Sequence, residues 1–292
     1  MHDIAPDAAP AFEILEQLVT STDIRDRAFA ASALSLCHQP EDRGRVAALY
    51  ERVRETARTQ HAVVRDRIRD RTLDGPAFLA DLGRAPLELR DHLVEEILGI
   101  AYPPLDEGPL PPDAVHYCPS GLAEILFTLE HGDLGSGATF VDLGSGLGKV
   151  VLLVALVTGA RAFGVEIDPE LVSHARAAAG ALDLGNAHFA LADMREAALP
   201  PADVYYMYSP VVHGAAAVVA RLEPVARERR IRVFSQALDL TELSWLRPGK
   251  AESYWLRMYE GPERPARRTA EEQAQASLGP TSAKTSTSTP GA

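Results

Sequence analysis

The stretch Phe140–Val154, FVDLGSGLGKVVLLV, limits what this chain can fold into more than any other. A short apolar run ends in three glycines spaced two apart, Gly144, Gly146 and Gly148, and a long apolar segment follows at once. Such spacing reads as a strand, a tight turn and a helix whose N-terminal backbone N–H groups stay open to a ligand. The helix would begin at Gly148.

The same alternation recurs downstream. ARAFGVEI is followed by a helical pattern from Pro169, then come AHFALAD and DVYYMY, a further helix from His213, RIRVFSQAL and SYWLRMYE. Short apolar runs alternating with helices predict an α/β fold, a Rossmann-like doubly wound and mainly parallel sheet. Residues 11 to about 100 carry no strand signal. Val46, Leu49, Val53, Ala57, Val64 and Ile68 recur at helical spacing, as do Leu89, Leu93 and Ile97 with Val94 and Leu98. The arginine-rich run from Arg43 to Arg71 is interleaved with Glu51, Glu55, Asp66 and Asp70, which predicts a solvated helix face. Tyr102 to Pro119 is proline-dense and reads as a semi-rigid connector. The chain therefore divides into an all-helical accessory region (1–112), an α/β domain (113–260) and a Ser/Thr/Pro/Ala-rich tail (261–292) expected to be disordered.

Composition excludes several classes. With 292 residues, 46% of them hydrophobic, the chain can bury a full core. A formal charge of -12 argues against a nucleic-acid substrate, which is normally met by a basic stripe. The longest apolar run, Val150 to Val157, is far short of the roughly 20 residues that span a bilayer. The N-terminus lacks the order of a signal peptide, so a cytoplasmic location is the default expectation. Cys37 and Cys118 are far apart and outside any CxxC pattern, so neither a disulfide framework nor a metal site is expected.

The ligand can be narrowed from the residues around the glycines. A dinucleotide fingerprint, GxGxxG/A, needs a small residue at position 149, and this chain has Lys149. Asp142 stands just before the first glycine, where a carboxylate repels a pyrophosphate and suits an amino-bearing ligand. D-x-G-x-G-x-G points instead to S-adenosylmethionine. Glu166 ends the second strand, placed to accept both ribose hydroxyls, with Ile167 following it. Asp193 ends the third, placed to accept from an adenine amino group while Met194 covers the ring. Each carboxylate taken singly also reads as a helix cap or loop residue. Three at successive strand ends of one sheet fit the rule that ligands bind at the carboxyl ends of strands.

From about Tyr117 to Glu260 the sequence resembles the class I S-adenosylmethionine-dependent methyltransferases. HYCPSGLAEILFTL precedes the glycine strand in the manner of the Y-x-P-[ST] segment of Dot1-like and ATP-synthase-c-subunit-type lysine methyltransferases. The resemblance implies that Tyr117 and Ser120 lie over the methionine end of the cofactor. It also implies that Asp142, Gly144, Gly146, Glu166 and Asp193 hold the cofactor, with Ser145, Gly148, Ile167, Met194 and Tyr208 in its surround. Without the resemblance, Ser120 is a residue at a helix start and Tyr117 a packing aromatic. The departure is DVYYMYSPVVHG: where amino-group methyltransferases carry an [ND]-PP-[YF] loop, this chain has Tyr208, Ser209 and Pro210. Tyr117, Tyr208 and His213 are the candidates for a part in the transfer, with His116 beside them, although a lone histidine also reads as a cap or surface residue. The resemblance favours a protein lysine as acceptor. A small-molecule acceptor, a silent cofactor-binding module and, more distantly, a NAD-dependent oxidoreductase stay open, as does a homodimer through the N-terminal helices.

Overall fold

Strands form where the apolar runs stand, with one addition. They are β1 (Thr139–Leu143), β2 (Arg161–Glu166), β3 (Ala187–Leu191), β4 (Val204–Tyr208), β5 (Arg232–Gln236), β6 (Arg247–Glu252) and β7 (Leu256–Glu260). The computed structural model describes residues 8–34, 36–37, 39–100, 117–208, 214–236 and 238–262. In it the strands make one sheet in the order β3-β2-β1-β4-β5-β7-β6. The pairs among the first five strands are parallel, while β5 with β7 and β7 with β6 are antiparallel. This is the class I methyltransferase sheet, preceded by an all-helical region. The expected tail from residue 263 on, most of the proline-dense connector, His116, Ser209, Pro210 and His213 lie outside the described residues.

Six α-helices make up the region before the sheet among the described residues: α1 (Ala8–Leu18), α2 (Ile24–Leu34), α3 (Arg43–Gln60), α4 (Ala62–Arg69), α5 (Gly75–Gly83) and α6 (Arg90–Leu98). Five more belong to the sheet: α7 (Leu122–His131), α8 (Lys149–Thr158), α9 (Pro169–Ala181), α10 (Ala215–Ala220) and α11 (Glu223–Glu228). Asp168 caps α9, accepting from the N–H groups of Glu170 and Leu171, and Pro169 takes the first helical position.

β1 is buried along its whole length, as a central strand covered on both faces must be. Its period-2 alternation sorts the core. Phe140 joins the side packed by α7, α8 and α9, and Val141 and Leu143 join the side packed by α10 and α11. α8 is apolar all round because it is covered twice, by the sheet within and by α5 and α6 without. Ile68, Phe78, Leu82, Val94, Ile97 and Leu98 thus share a core with Phe140 and Val151, whereas α1 to α3 close a smaller core around Phe12, Val19, Leu34 and Leu49. A buried ion cluster ties the two helical groups together. Arg27 donates to both carboxylate oxygens of Glu96 at 2.6 and 2.7 Å, and His61 Nε2 lies 2.8 Å from the same carboxylate.

Two expectations need correction. β6 is a strand the alternation missed, because RPGKAE has no period-2 pattern and contains Pro248. Proline is tolerated here since β6 is the edge strand, and its register breaks between Pro248 and Glu252. The arginine run is not wholly a solvated face: Arg65 is buried, at 6% exposure.

Candidate functional site

The loop after β1 holds all three glycines at positive φ, +90° at Gly144, +51° at Gly146 and +83° at Gly148. It is anchored to the end of β2, where Gly144 and Ser145 donate to the Val165 carbonyl at 2.9 and 3.1 Å. Glycine is required most at Gly146, where a Cβ would fall inside the Tyr117 ring. At Gly148 a Cβ would lie 2.6 Å from the Phe189 ring, so helix and strand close on one another only without a side chain there. The Ser145 hydroxyl turns back against Gly164 and has no hydrogen-bond partner.

Asp142 is buried at 2% exposure, on the same side of β1 as Phe140 and level with Tyr206 of β4. Burial first, and the Glu166 carboxylate second, hold its pKa well above the usual carboxylate range. Glu166 is satisfied by backbone: it accepts from Gly146 at 2.8 Å on one oxygen, and from Ile167 and Asp168 at 2.8 and 2.9 Å on the other. Glu166 therefore pins the glycine loop to the end of β2, and the first of these oxygens keeps a lone pair for a further donor.

Asp193 and Met194 part company. Asp193 stands after β3 with its carboxylate engaged by Arg195, whose Nη2 donates at 2.6 Å and whose backbone N–H donates at 2.9 Å. These contacts lower its pKa. Met194 is not at the rim. It is buried at 6% exposure among Val141, Leu143 and Val165, because the turn held by Asp193 and Arg195 sends the next side chain to the opposite face of the sheet.

A second set of residues closes in from the segment before α7. The half-buried Tyr117 lies over Gly146, and its hydroxyl is reached by the backbone of Leu147. Burial, then Glu95 and Asp142, raise its pKa so far that it stays a neutral phenol. Ser120 is buried, and its Oγ accepts from the Tyr206 hydroxyl at 3.0 Å. Tyr206 and Tyr208 stack in parallel with centroids 6.5 Å apart. Glu124, in the first turn of α7, is buried, and its charge raises the pKa of both tyrosines after the larger effect of burial. Sequence reasoning missed Tyr206 and Glu124. Each sits inside an apolar pattern, and only the fold brings them to the glycine loop.

Lys149 holds the other flank. It is 4% exposed and donates to Glu95 at 2.8 Å and to Asp91, both on α6. Asp91 also accepts from Leu122 N–H at 2.9 Å, at the start of α7. The helical region is thus bound by charge to the first residue after the glycine loop.

The sequence profile of the family described as "Histone methylation protein DOT1" matches residues 120–195, the span running from Ser120 through the glycine loop, Glu166 and Asp193. The chain is a class I S-adenosylmethionine-dependent methyltransferase. This methyltransferase is similar to an RNA methyltransferase from Salinibacter ruber solved with S-adenosyl-L-homocysteine, at 28% identity over 51% of this chain and 97% of that one, TM-score 0.41. It is also similar to an S-adenosylmethionine-dependent O-methyltransferase from Thermotoga maritima, at 11% identity over 51% and 69%, TM-score 0.40. A third is a magnesium protoporphyrin IX methyltransferase from Synechocystis with bound cofactor, at 20% identity over 47% and 75%, TM-score 0.36. A search of curated proteins finds no match to the methyltransferase. Among its described residues, no helix is long and apolar enough to cross a membrane, and no group of three metal-ligating side chains is found.

Proposed function

We propose that this methyltransferase acts on a lysine side chain of a protein, with the cofactor held over the glycine loop. The observation that carries the reading is the Y-x-P-S segment laid across that loop, Tyr117 on Gly146 and Ser120 tied to Tyr206. The family match over residues 120–195 supports the same branch.

The residues fit the cofactor. Gly144, Gly146 and Gly148 leave the backbone bare, Glu166 keeps acceptor capacity for ribose hydroxyls, and Asp142 is a buried acid whose carboxylate form a cationic partner would favour. Ser145 and Ile167 complete this surround through their backbone. Bound S-adenosylmethionine supplies a sulfonium methyl group open to in-line displacement. Tyr117 keeps water from that group, and as a phenol with a raised pKa it takes no proton from the acceptor. Tyr208 offers a flat aromatic wall, backed by the fully buried Tyr206 stacked behind it, and Glu124 offers a buried negative charge beside them. Such a wall attracts an ammonium group, which gives up its proton to solvent before its nitrogen lone pair can attack. Asp193, held by Arg195, stays at the rim for the adenine.

Incubating the protein with methyl-labelled S-adenosylmethionine and cell lysate, then separating protein from small molecules, tests the acceptor. Label is expected in protein, on lysine. Label confined to small molecules selects the alternative acceptor class, which the altered Tyr208–Ser209–Pro210 loop favours. Tyr117→Ala is expected to slow transfer by about 100-fold while weakening S-adenosylhomocysteine by less than about tenfold, since it removes water exclusion rather than a cofactor hydrogen bond. Equal losses in rate and affinity would make Tyr117 a binding residue only.

A further inference from the structure

Behind the cofactor site, α3, α4 and α6 meet α9 around a cavity of about 380 Å³. None of the glycine-loop or strand-end residues lines it. Its apolar wall comes from Val53, Ala57, Ile100 and Ala178. Its polar groups are out of balance. Of the three carboxylates in the lining, Glu51 is taken by Arg54 at 2.7 Å, Glu95 by Lys149 at 2.8 Å and Glu96 by Arg27 at 2.6 Å. At the mouth, Arg69 pairs outward with Asp66. Arg58 and Arg65 form no ion pair among the described residues.

Arg65 is the anomaly. It is 94% removed from solvent, at 6% exposure, and the protein acceptor given to its guanidinium is the Ile97 carbonyl. A buried charge is normally matched by an opposite one, because the cost of desolvating it is several kcal/mol. Here burial, then Arg58 and Arg69, lower the pKa of Arg65, and the one opposing carboxylate, Asp66, is paired with Arg69. Across the cavity, burial and then Arg54 lower the pKa of His174 against the opposing pull of Glu170 and Glu51, and Arg54 Nε is itself buried without a partner. Among the described residues, no lining carboxylate is left over to supply the counter-charge.

We propose that this cavity is a binding site for a small anionic molecule with an apolar body, a carboxylate or phosphate monoester whose charged group sits on Arg65 and Arg58 and whose body lies on the Val53, Ala57 and Ala178 wall. The volume suits a molecule of the size of a substituted benzene. The site is separate from the methyl-transfer site and does not depend on the acceptor proposed above.

Calorimetric titration of the intact chain with phenyl phosphate and with benzoate tests it, and the comparison of the two separates phosphate from carboxylate as the favoured group. Binding of at least one probe is expected below about 1 mM, and Arg65→Met should weaken it at least about tenfold, the loss of one charge-assisted contact. Should Arg65→Met fail to fold, Arg58→Gln and Ala177→Leu serve instead. The first removes a charge at the exposed mouth, and the second narrows the cavity from α9 with every charge kept. Each is expected to weaken the same probe by about threefold or more, with thermal unfolding confirming the fold. No binding of either probe up to about 10 mM, or equal affinity in the wild type and every folded variant, overturns the proposal.

Discussion

Replacing Lys149 by methionine is expected to lower the free energy of unfolding by about 3 kcal/mol, among the largest effects of any single side chain here. Methionine keeps the apolar stem but leaves Glu95, whose side chain is 11% exposed, without the ammonium that balances it. Removing one member of a buried pair costs about 3–5 kcal/mol, and the figure falls at the lower end because Asp91 is half-exposed and can be solvated. Urea unfolding measures it as a shifted midpoint at unchanged slope. Lys149→Met combined with Glu95→Met should recover much of the loss. An unchanged midpoint for the single variant would mean that α6 is not held to the glycine-loop helix by charge.

Gly146→Ala is expected to weaken S-adenosylhomocysteine about 100-fold while the protein stays folded. Alanine at φ +51° costs only about 1–2 kcal/mol of backbone strain. The larger effect is that its Cβ falls inside the Tyr117 ring, so Tyr117 must leave the loop, and the Gly146 N–H that donates to Glu166 at 2.8 Å moves with it. Calorimetry with wild type and variant measures the loss. Gly44→Ala, on the exposed side of α3 with open space around it, should leave affinity unchanged.

The parts of the fold visible in the sequence are those set by local rules. Three glycines two apart favour a turn with positive φ, and a carboxylate ending an apolar run stands at a strand end, so the loop and Glu166 were legible. Five of the seven strands were apolar runs between helices, and β7 was legible as SYWLRMYE. Contacts between distant segments were not legible. Lys149 reads in the sequence as an obstacle to packing against the strand, yet it is accommodated by Asp91 and Glu95, 58 and 54 residues earlier. Ser120 and Tyr206, joined by a hydrogen bond, are 86 residues apart. Arg65 could have been found, since it stands three residues before Ile68 on the same helical stripe, but a stripe does not tell a core position from the wall of a cavity. Met194 went astray because alternation does not continue through a turn.

Titration calorimetry with S-adenosylhomocysteine in buffers of different ionisation heat shows whether the glycine loop and Asp142 hold the cofactor. In the free protein burial, then Glu166, raise the pKa of Asp142 well above the usual carboxylate range, so it holds its proton to higher pH than an exposed carboxyl does. The ammonium group of the ligand favours the carboxylate, so binding should release up to one proton, and affinity should rise with pH from the usual carboxylate value to the raised one. The predicted result is binding at about micromolar affinity, a heat that varies with the buffer, loss of that variation in Asp142→Asn, and no binding of NAD. Binding of NAD in preference to S-adenosylhomocysteine would contradict the account.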